Sequence, residues 1–175
     1  MDQILVVFYS YTGTSRRLAQ LLCAQLDWPS GEIVERQSRA GGSGTVRCIL
    51  DTLLRRRPAI RYDGPDPAGY DAVVLVSPIW AYGLAGPMRS FVGEQRAKLR
   101  NVAVISVMGS AGASNAVAEI DRLSGRAPLI AAAFTSREVL DGSCARSLQA
   151  FGRALQQASP GAAAIAGDKW SPRGA

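Results

Sequence analysis

Short apolar runs separated by stretches of helical spacing make up most of this chain. Three of the runs are rich in β-branched residues: Ile4 to Phe8, Ala72 to Val76 and Val102 to Val107. None of them alternates apolar with polar positions. Each therefore predicts a strand buried on both faces, as in a parallel sheet covered by helices on both sides. Two weaker runs join them: Glu32 to Glu35, read as an edge strand, and Leu129 to Phe134, introduced by Pro128 and diluted by three alanines.

Between the runs, apolar residues recur at three- and four-residue steps. Leu18, Leu21, Leu22 and Leu26 make one stripe, and Met88, Phe91 and Val92, continued through Gln95 to Leu99, make a second. Val117, Ile120 and Leu123 mark a third helix and Leu148, Phe151 and Leu155 a fourth. Val46 to Leu54 predicts another, with Ile49, Leu50, Leu53 and Leu54 on its apolar face. Strand and helix alternate, and each crossover is long enough for a right-handed βαβ unit. The expected architecture is an open doubly wound α/β sheet of about five strands. Ser38 to Gly44 and Pro58 to Gly69 are rich in Gly, Ser and Pro and read as surface loops. Residues 1–159 are expected to form one domain. Residues 160–175 form an Ala-, Gly- and Pro-rich tail whose only aromatic is Trp170.

Composition narrows the chemistry more than the fold. The 175 residues are 47% hydrophobic, enough for a core without metals or disulfides. Histidine is absent, which excludes His-based triads, His general bases and the usual zinc sites. Cys23, Cys48 and Cys144 are far apart and lack metal-ligand spacing, so they read as reduced, mostly buried thiols. The formal net charge is +6, a balance that favours anionic ligands or partners. Arg55, Arg56 and Arg57 form the one basic run, read as a solvated helix end and not as a nucleic-acid patch. No apolar run reaches the roughly 18 residues of a membrane span, and Met1 to Phe8 lacks the basic start of a signal peptide. The expected location is the cytoplasm.

In an open α/β sheet, ligands bind outside the carboxyl ends of the strands. Three loops leave the strong strands there. The first, Ser10-Tyr11-Thr12-Gly13-Thr14-Ser15, lies between a strand and a helix. A helix N-terminus offers free N–H groups and the positive end of its dipole, and the hydroxyls of Ser10, Thr12, Thr14 and Ser15 suit a phosphate dianion. One of those hydroxyls would suffice as a simple helix cap. Arg16 and Arg17 follow in the first turn, where an anionic ligand or solvent would offset them. The loop lacks the glycines of a GxGxxG fingerprint and the lysine of a GxxxxGK[ST] loop, so a monophosphate fits better. It also lacks a phosphatase cysteine and an acidic cluster for magnesium.

The second loop, Ser77-Pro78-Ile79-Trp80-Ala81-Tyr82-Gly83-Leu84-Ala85-Gly86-Pro87-Met88-Arg89, carries two aromatics among small residues, able either to stack on a planar ligand or to pack inward. The third, Met108-Gly109-Ser110-Ala111-Gly112-Ala113-Ser114-Asn115, offers backbone donors and acceptors, with Ser114 or Asn115 placed to cap the next helix.

The Ser-x-Thr-Gly-x-Thr-like pattern at Ser10 to Thr14, Tyr70-Asp71 before a strand, and Ser77-Pro78-Ile79-Trp80 after it together resemble the flavodoxin family, from Ile4 to about Leu155. The resemblance implies a five-stranded parallel sheet in the order 2-1-3-4-5 with helices on both faces, and flavin mononucleotide (FMN) as cofactor. It implies that Ser10, Tyr11, Thr12, Gly13, Thr14 and Ser15 hold the FMN phosphate. Pro78, Ile79, Trp80, Ala81 and Tyr82 would line the isoalloxazine, and Gly109, Ser110 and Gly112 would border its pyrimidine edge. Flavodoxins that shuttle electrons resemble one another in being acidic and in covering the ring with aromatics from the last two loops. Here the charge is positive and the third loop has no aromatic. The expectation is an NAD(P)H- or quinone-linked oxidoreductase, with a one-electron carrier for an acidic redox partner and a flavin-free binding module as alternatives.

Overall fold

The computed structural model of the chain describes residues 3–36, 54–109 and 111–158. Five parallel strands form the body of the sheet: β1 (Ile4–Tyr9), β2 (Ser30–Glu35), β4 (Ala72–Trp80), β6 (Val102–Met108) and β7 (Ala131–Thr135). Two further strands are antiparallel additions, β3 (Ile60–Asp63) against β2 and β5 (Gly83–Leu84) against β4. The sheet order is β3-β2-β1-β4-β6-β7. Its five parallel members thus stand in the order 2-1-3-4-5, and the fold is the doubly wound flavodoxin-like one.

Continuous apolar strands arise because alternate residues serve opposite faces. Ile4, Val6 and Phe8 of β1, with Val74 and Val76 of β4 and Ile105 and Val107 of β6, pack against α1 (Thr14–Leu26), α4 (Ser136–Asp141) and α5 (Ala145–Gln157). Their neighbours Leu5 and Val7, Val73 and Leu75, Val102 and Val104 pack against α2 (Gly86–Gln95) and α3 (Ala113–Ser124). Most of the helical stripes read from the sequence are buried: Leu18 and Leu22, Met88, Phe91 and Val92, Ile120 and Leu123, Leu148, Phe151 and Leu155, while Leu21, Leu26 and Val117 are only partly buried against the same clusters.

Three expectations need correction. Pro58 to Gly69 is not a plain loop, since it holds β3 and a 3-10 turn at Pro67–Gly69 capped by Asp66. Consequently Glu32 to Glu35 is not an edge: β3 pairs outside it, Ile33 opposite Tyr62 and Glu35 opposite Ile60. The second apolar helix ends at Gln95 and continues only as a 3-10 turn over Arg96–Lys98. Arg55 to Arg57 are exposed, as expected of a solvated run, and the helix they would end lies outside the described residues. Arg55 stands in a turn at φ 50°, and the Arg56 carbonyl accepts a hydrogen bond from Arg89. The helix expected at Val46 to Leu54 and the loop at Ser38 to Gly44 lie outside the described residues apart from Leu54, as does the tail beyond Ala158. Among the described residues no helix is long and apolar enough to cross a membrane.

β3 docks through a close backbone approach. The Tyr62 ring lies on Gly31 of β2, where an added Cβ would come within 2.5 Å of the ring carbons. The Tyr62 hydroxyl donates to the Pro65 carbonyl at 2.9 Å, and its ring packs 5.0 Å from that of Phe91. Burial pushes this phenol well above its ordinary range, helped by the nearby Tyr70 and Asp66.

Candidate functional site

β1, β4 and β6 are neighbours in the sheet, and the chain leaves β1 for one side and β4 for the other. That reversal opens a crevice at the carboxyl ends of β1 and β4, where the three loops emerge.

The first loop is built around Gly13. Its φ of 92° is left-handed, which favours glycine, and an added Cβ there would meet nothing within 4 Å. Its N–H donates to the Ser10 hydroxyl at 3.1 Å, and its carbonyl accepts from Arg17 N–H at 2.9 Å, closing the first turn of α1. No side chain caps α1. The Thr12 and Thr14 hydroxyls lie 3.4 Å from each other, and Ser15 is buried at the start of the helix. The simple-cap reading of Thr12 or Thr14 is therefore not what the fold uses, and the first N–H groups of α1 remain available beside a set of hydroxyls. Arg16 forms an ion pair with Glu32 on β2, which offsets its charge without a ligand.

The second loop is a hairpin. β4 runs on to Trp80, and Ile79 and Trp80 pair with Leu84 and Gly83 of β5. Ala81 and Tyr82 make the two-residue connection with φ of 44° and 62°, both left-handed and both without glycine. Pro78 and Trp80 are half-buried, Ile79 is buried, and Tyr82 is 65% exposed. Trp80 stands edge-on to Tyr11, ring centres 5.1 Å apart, so the first and second loops meet through this aromatic pair.

The third loop clamps the hairpin. Gly112 precedes α3 at φ 108°, and a Cβ there would lie 2.7 Å from the Tyr82 Cα and 2.9 Å from an Ile79 methyl. Asn115 does not cap α3; its Nδ2 donates to the Tyr82 carbonyl at 3.1 Å. Gly109 is exposed with open space around it, and Ser110 lies outside the described residues.

Beneath the hairpin lies a residue that sequence reasoning passed over. Arg89 of α2 is 2% exposed and pairs with Glu119 of α3, Nε to Oε1 at 2.6 Å and Nη2 to Oε2 at 3.2 Å. Two more of its donors reach the carbonyls of Leu84 in β5 and Arg56, each at 3.0 Å. A bidentate pair with two added carbonyl acceptors satisfies the buried guanidinium and ties two helices, the hairpin and the segment before β3 together. The signal was a lone arginine inside an otherwise apolar helical stripe. Burial also raises the Cys23 and Cys144 thiols, which favours their protonated form. Among the described residues no cluster of three metal-ligating side chains occurs.

No protein-family model matches the chain, and no curated protein matches it. Solved structures do. A flavoprotein in complex with FMN from Lactobacillus acidophilus is 20% identical, with a TM-score of 0.68 over 82% of this chain and 99% of that one. A candidate flavoprotein from Bacteroides uniformis is 20% identical with a TM-score of 0.69, covering 87% of this chain and 98% of its own. A flavodoxin from Streptococcus pneumoniae is 15% identical with a TM-score of 0.54, covering 88% and 97%. At these identities the likeness is one of fold.

Proposed function

We propose that the chain binds FMN in the crevice of β1, β4 and β6 and acts as a flavin-dependent oxidoreductase towards NAD(P)H or a quinone. The observation that carries this reading is the uncapped start of α1 at the point where strand order reverses, ringed by hydroxyls and by open space above Gly13. An FMN complex on the same fold in the Lactobacillus acidophilus protein supports it.

In this reading Ser10, Tyr11, Thr12, Gly13, Thr14 and Ser15 hold the phosphate. Pro78, Ile79, Trp80, Ala81 and Tyr82 line the ring, and Gly109, Ser110 and Gly112 border it. Bound flavin supplies the electron chemistry, and the chain supplies position and charge. The third loop offers only small residues there, among them Gly109, Ala111 and Gly112, so one ring face stays open to a hydride donor or a planar acceptor. The net charge of +6 favours the anionic reduced ring and raises its potential relative to an acidic shuttle.

The test is a titration of the purified chain with FMN, following quenching of flavin fluorescence. Stoichiometric quenching is expected. Thr12→Val and Trp80→Ala should each weaken it by roughly tenfold, as for a lost charge-assisted hydrogen bond or stacking contact. A folded chain that leaves FMN fluorescence unchanged overturns the assignment. NAD(P)H oxidation with quinone acceptors then separates the oxidoreductase from a carrier.

A further inference from the structure

A cavity of about 510 Å³ opens beside the hairpin, lined by Ala81, Tyr82 and Gly83, by Asn115 and Glu119 of α3, and by Arg55, Arg89 and Arg122. It shares Ala81 and Tyr82 with the second loop, while no residue of Ser10 to Ser15 borders it. Its size is that of a small-molecule site and not that of a single ion.

Among the described residues the charges around it do not cancel. Arg89 and Glu119 neutralise each other in their buried bidentate pair. Arg122 stands 3.8 Å from the same Glu119 carboxylate and is 60% exposed, and Arg55 has no ion-pair partner among the described residues. Two exposed guanidiniums thus face a space whose wall is fixed by a satisfied ion pair. Asn115 adds a side-chain carbonyl and amide, its amide anchored to the Tyr82 carbonyl, and Tyr82 adds an exposed ring. Guanidiniums take planar oxyanions in a forked geometry, and an aromatic beside them favours a flat body attached to the anion.

We infer that this cavity is an anchoring site for an aromatic oxyanion, a flat molecule carrying a carboxylate or a phosphate. The anion sits between Arg55 and Arg122, and the ring lies along Tyr82 towards the crevice. Its role as the anchor of the electron donor or acceptor rests on the FMN reading; its capacity to bind the anion does not.

The experiment uses the full chain, once without flavin and once saturated with FMN, titrated with benzoate and with phenyl phosphate. Backbone amide resonances of Tyr82 and Gly83, the Asn115 side-chain amide and the Arg89 Nε–H report on the cavity, and the amides of Gly13 to Arg16 report on the first loop. Saturable shifts in the cavity set are expected in both states, weakened at least tenfold in Arg55→Gln/Arg122→Gln and unchanged in Thr12→Val. The two exposed arginines leave the core untouched, so the double variant should keep its amide dispersion. Tighter binding of phenyl phosphate than of benzoate assigns the anchor to phosphate, and the reverse assigns it to carboxylate. Shifts confined to the first loop, or cavity shifts indifferent to the double variant, overturn the proposal. Cavity shifts in a chain that fails to bind FMN retain the site and remove only its redox role.

Discussion

The loop at Ser10 to Ser15 and the hairpin at Ala81 and Tyr82 leave neighbouring strands at the same end of the sheet, yet they are held in opposite ways. In the first, the helix start is uncapped, open space lies where a Gly13 side chain would go, and the two threonine hydroxyls have only each other among the described residues. In the second, two non-glycine residues are held at positive φ by a strand pair, an amide from Asn115, the backbone of Gly112 and the Arg89 hub below. Unmet hydrogen-bonding capacity is a site that waits for a ligand, whereas over-determined strain is a site the protein has already set. In the proposed reading, an anion would complete one end of the crevice, and the other end is the wall against which a ring would be positioned.

Breaking the wall should cost most. Arg89→Met leaves the mostly buried Glu119 with only the exposed Arg122 as a charge partner and frees two carbonyls, so a loss of about 3 kcal/mol is expected from urea unfolding. Gly112→Ala comes next, because the added methyl must displace the Tyr82 backbone at a left-handed φ. About 2–4 kcal/mol should be lost, with a changed near-ultraviolet circular dichroism around Trp80. Gly13→Ala sharpens the contrast. It bears the same left-handed penalty without a clash, so its stability should fall by only about 1 kcal/mol while FMN quenching weakens. If Gly13→Ala proved as disruptive as Gly112→Ala, the open loop would be as constrained as the hairpin and the comparison would fail.

The smallest effect is one of pH. Folding raises the Tyr62 phenol above its ordinary 10.0 and the Cys23 and Cys144 thiols above their ordinary 9.0, so the native chain keeps protons that the unfolded chain has shed. That stability is whole below the unfolded values and drains away as pH rises through the folded ones. The urea midpoint should begin to fall above pH 9 and steepen past pH 10. Tyr62→Phe should flatten the later part.

Much of this was legible in the sequence because burial on both faces leaves an unbroken apolar run, and β1, β4 and β6 each have one. β3 was hidden by its length and its setting. Only Ile60 and Tyr62 turn inward, Arg61 and Asp63 turn outward, and prolines and glycines flank them. Helix α4 was also missed, although Thr135 and Glu138 form a capping box that the Thr-x-x-Glu spacing announces. At the site, the hydroxyls of the first loop were visible as chemistry. The hairpin was not visible, because Ala81 and Tyr82 are not residues that positive φ selects. Asn115 read as a cap, its commonest local use, while its real partner is 33 positions away in the chain. Contacts of that span have no local signature.

The edge strand β3 also carries a consequence in time. Its pairing of Ile60 with Glu35 must first bring together ends separated by residues 36–59. Lengthening such a span is cheap at equilibrium, about 0.6 kcal/mol per doubling, but the search precedes any reward. The β1, β4 and β6 centre should therefore consolidate first and β3 last. In hydrogen exchange, β3 should be the earliest strand to surrender its amides, and the lifting of Tyr62 from Gly31 the first step by which the molecule comes apart.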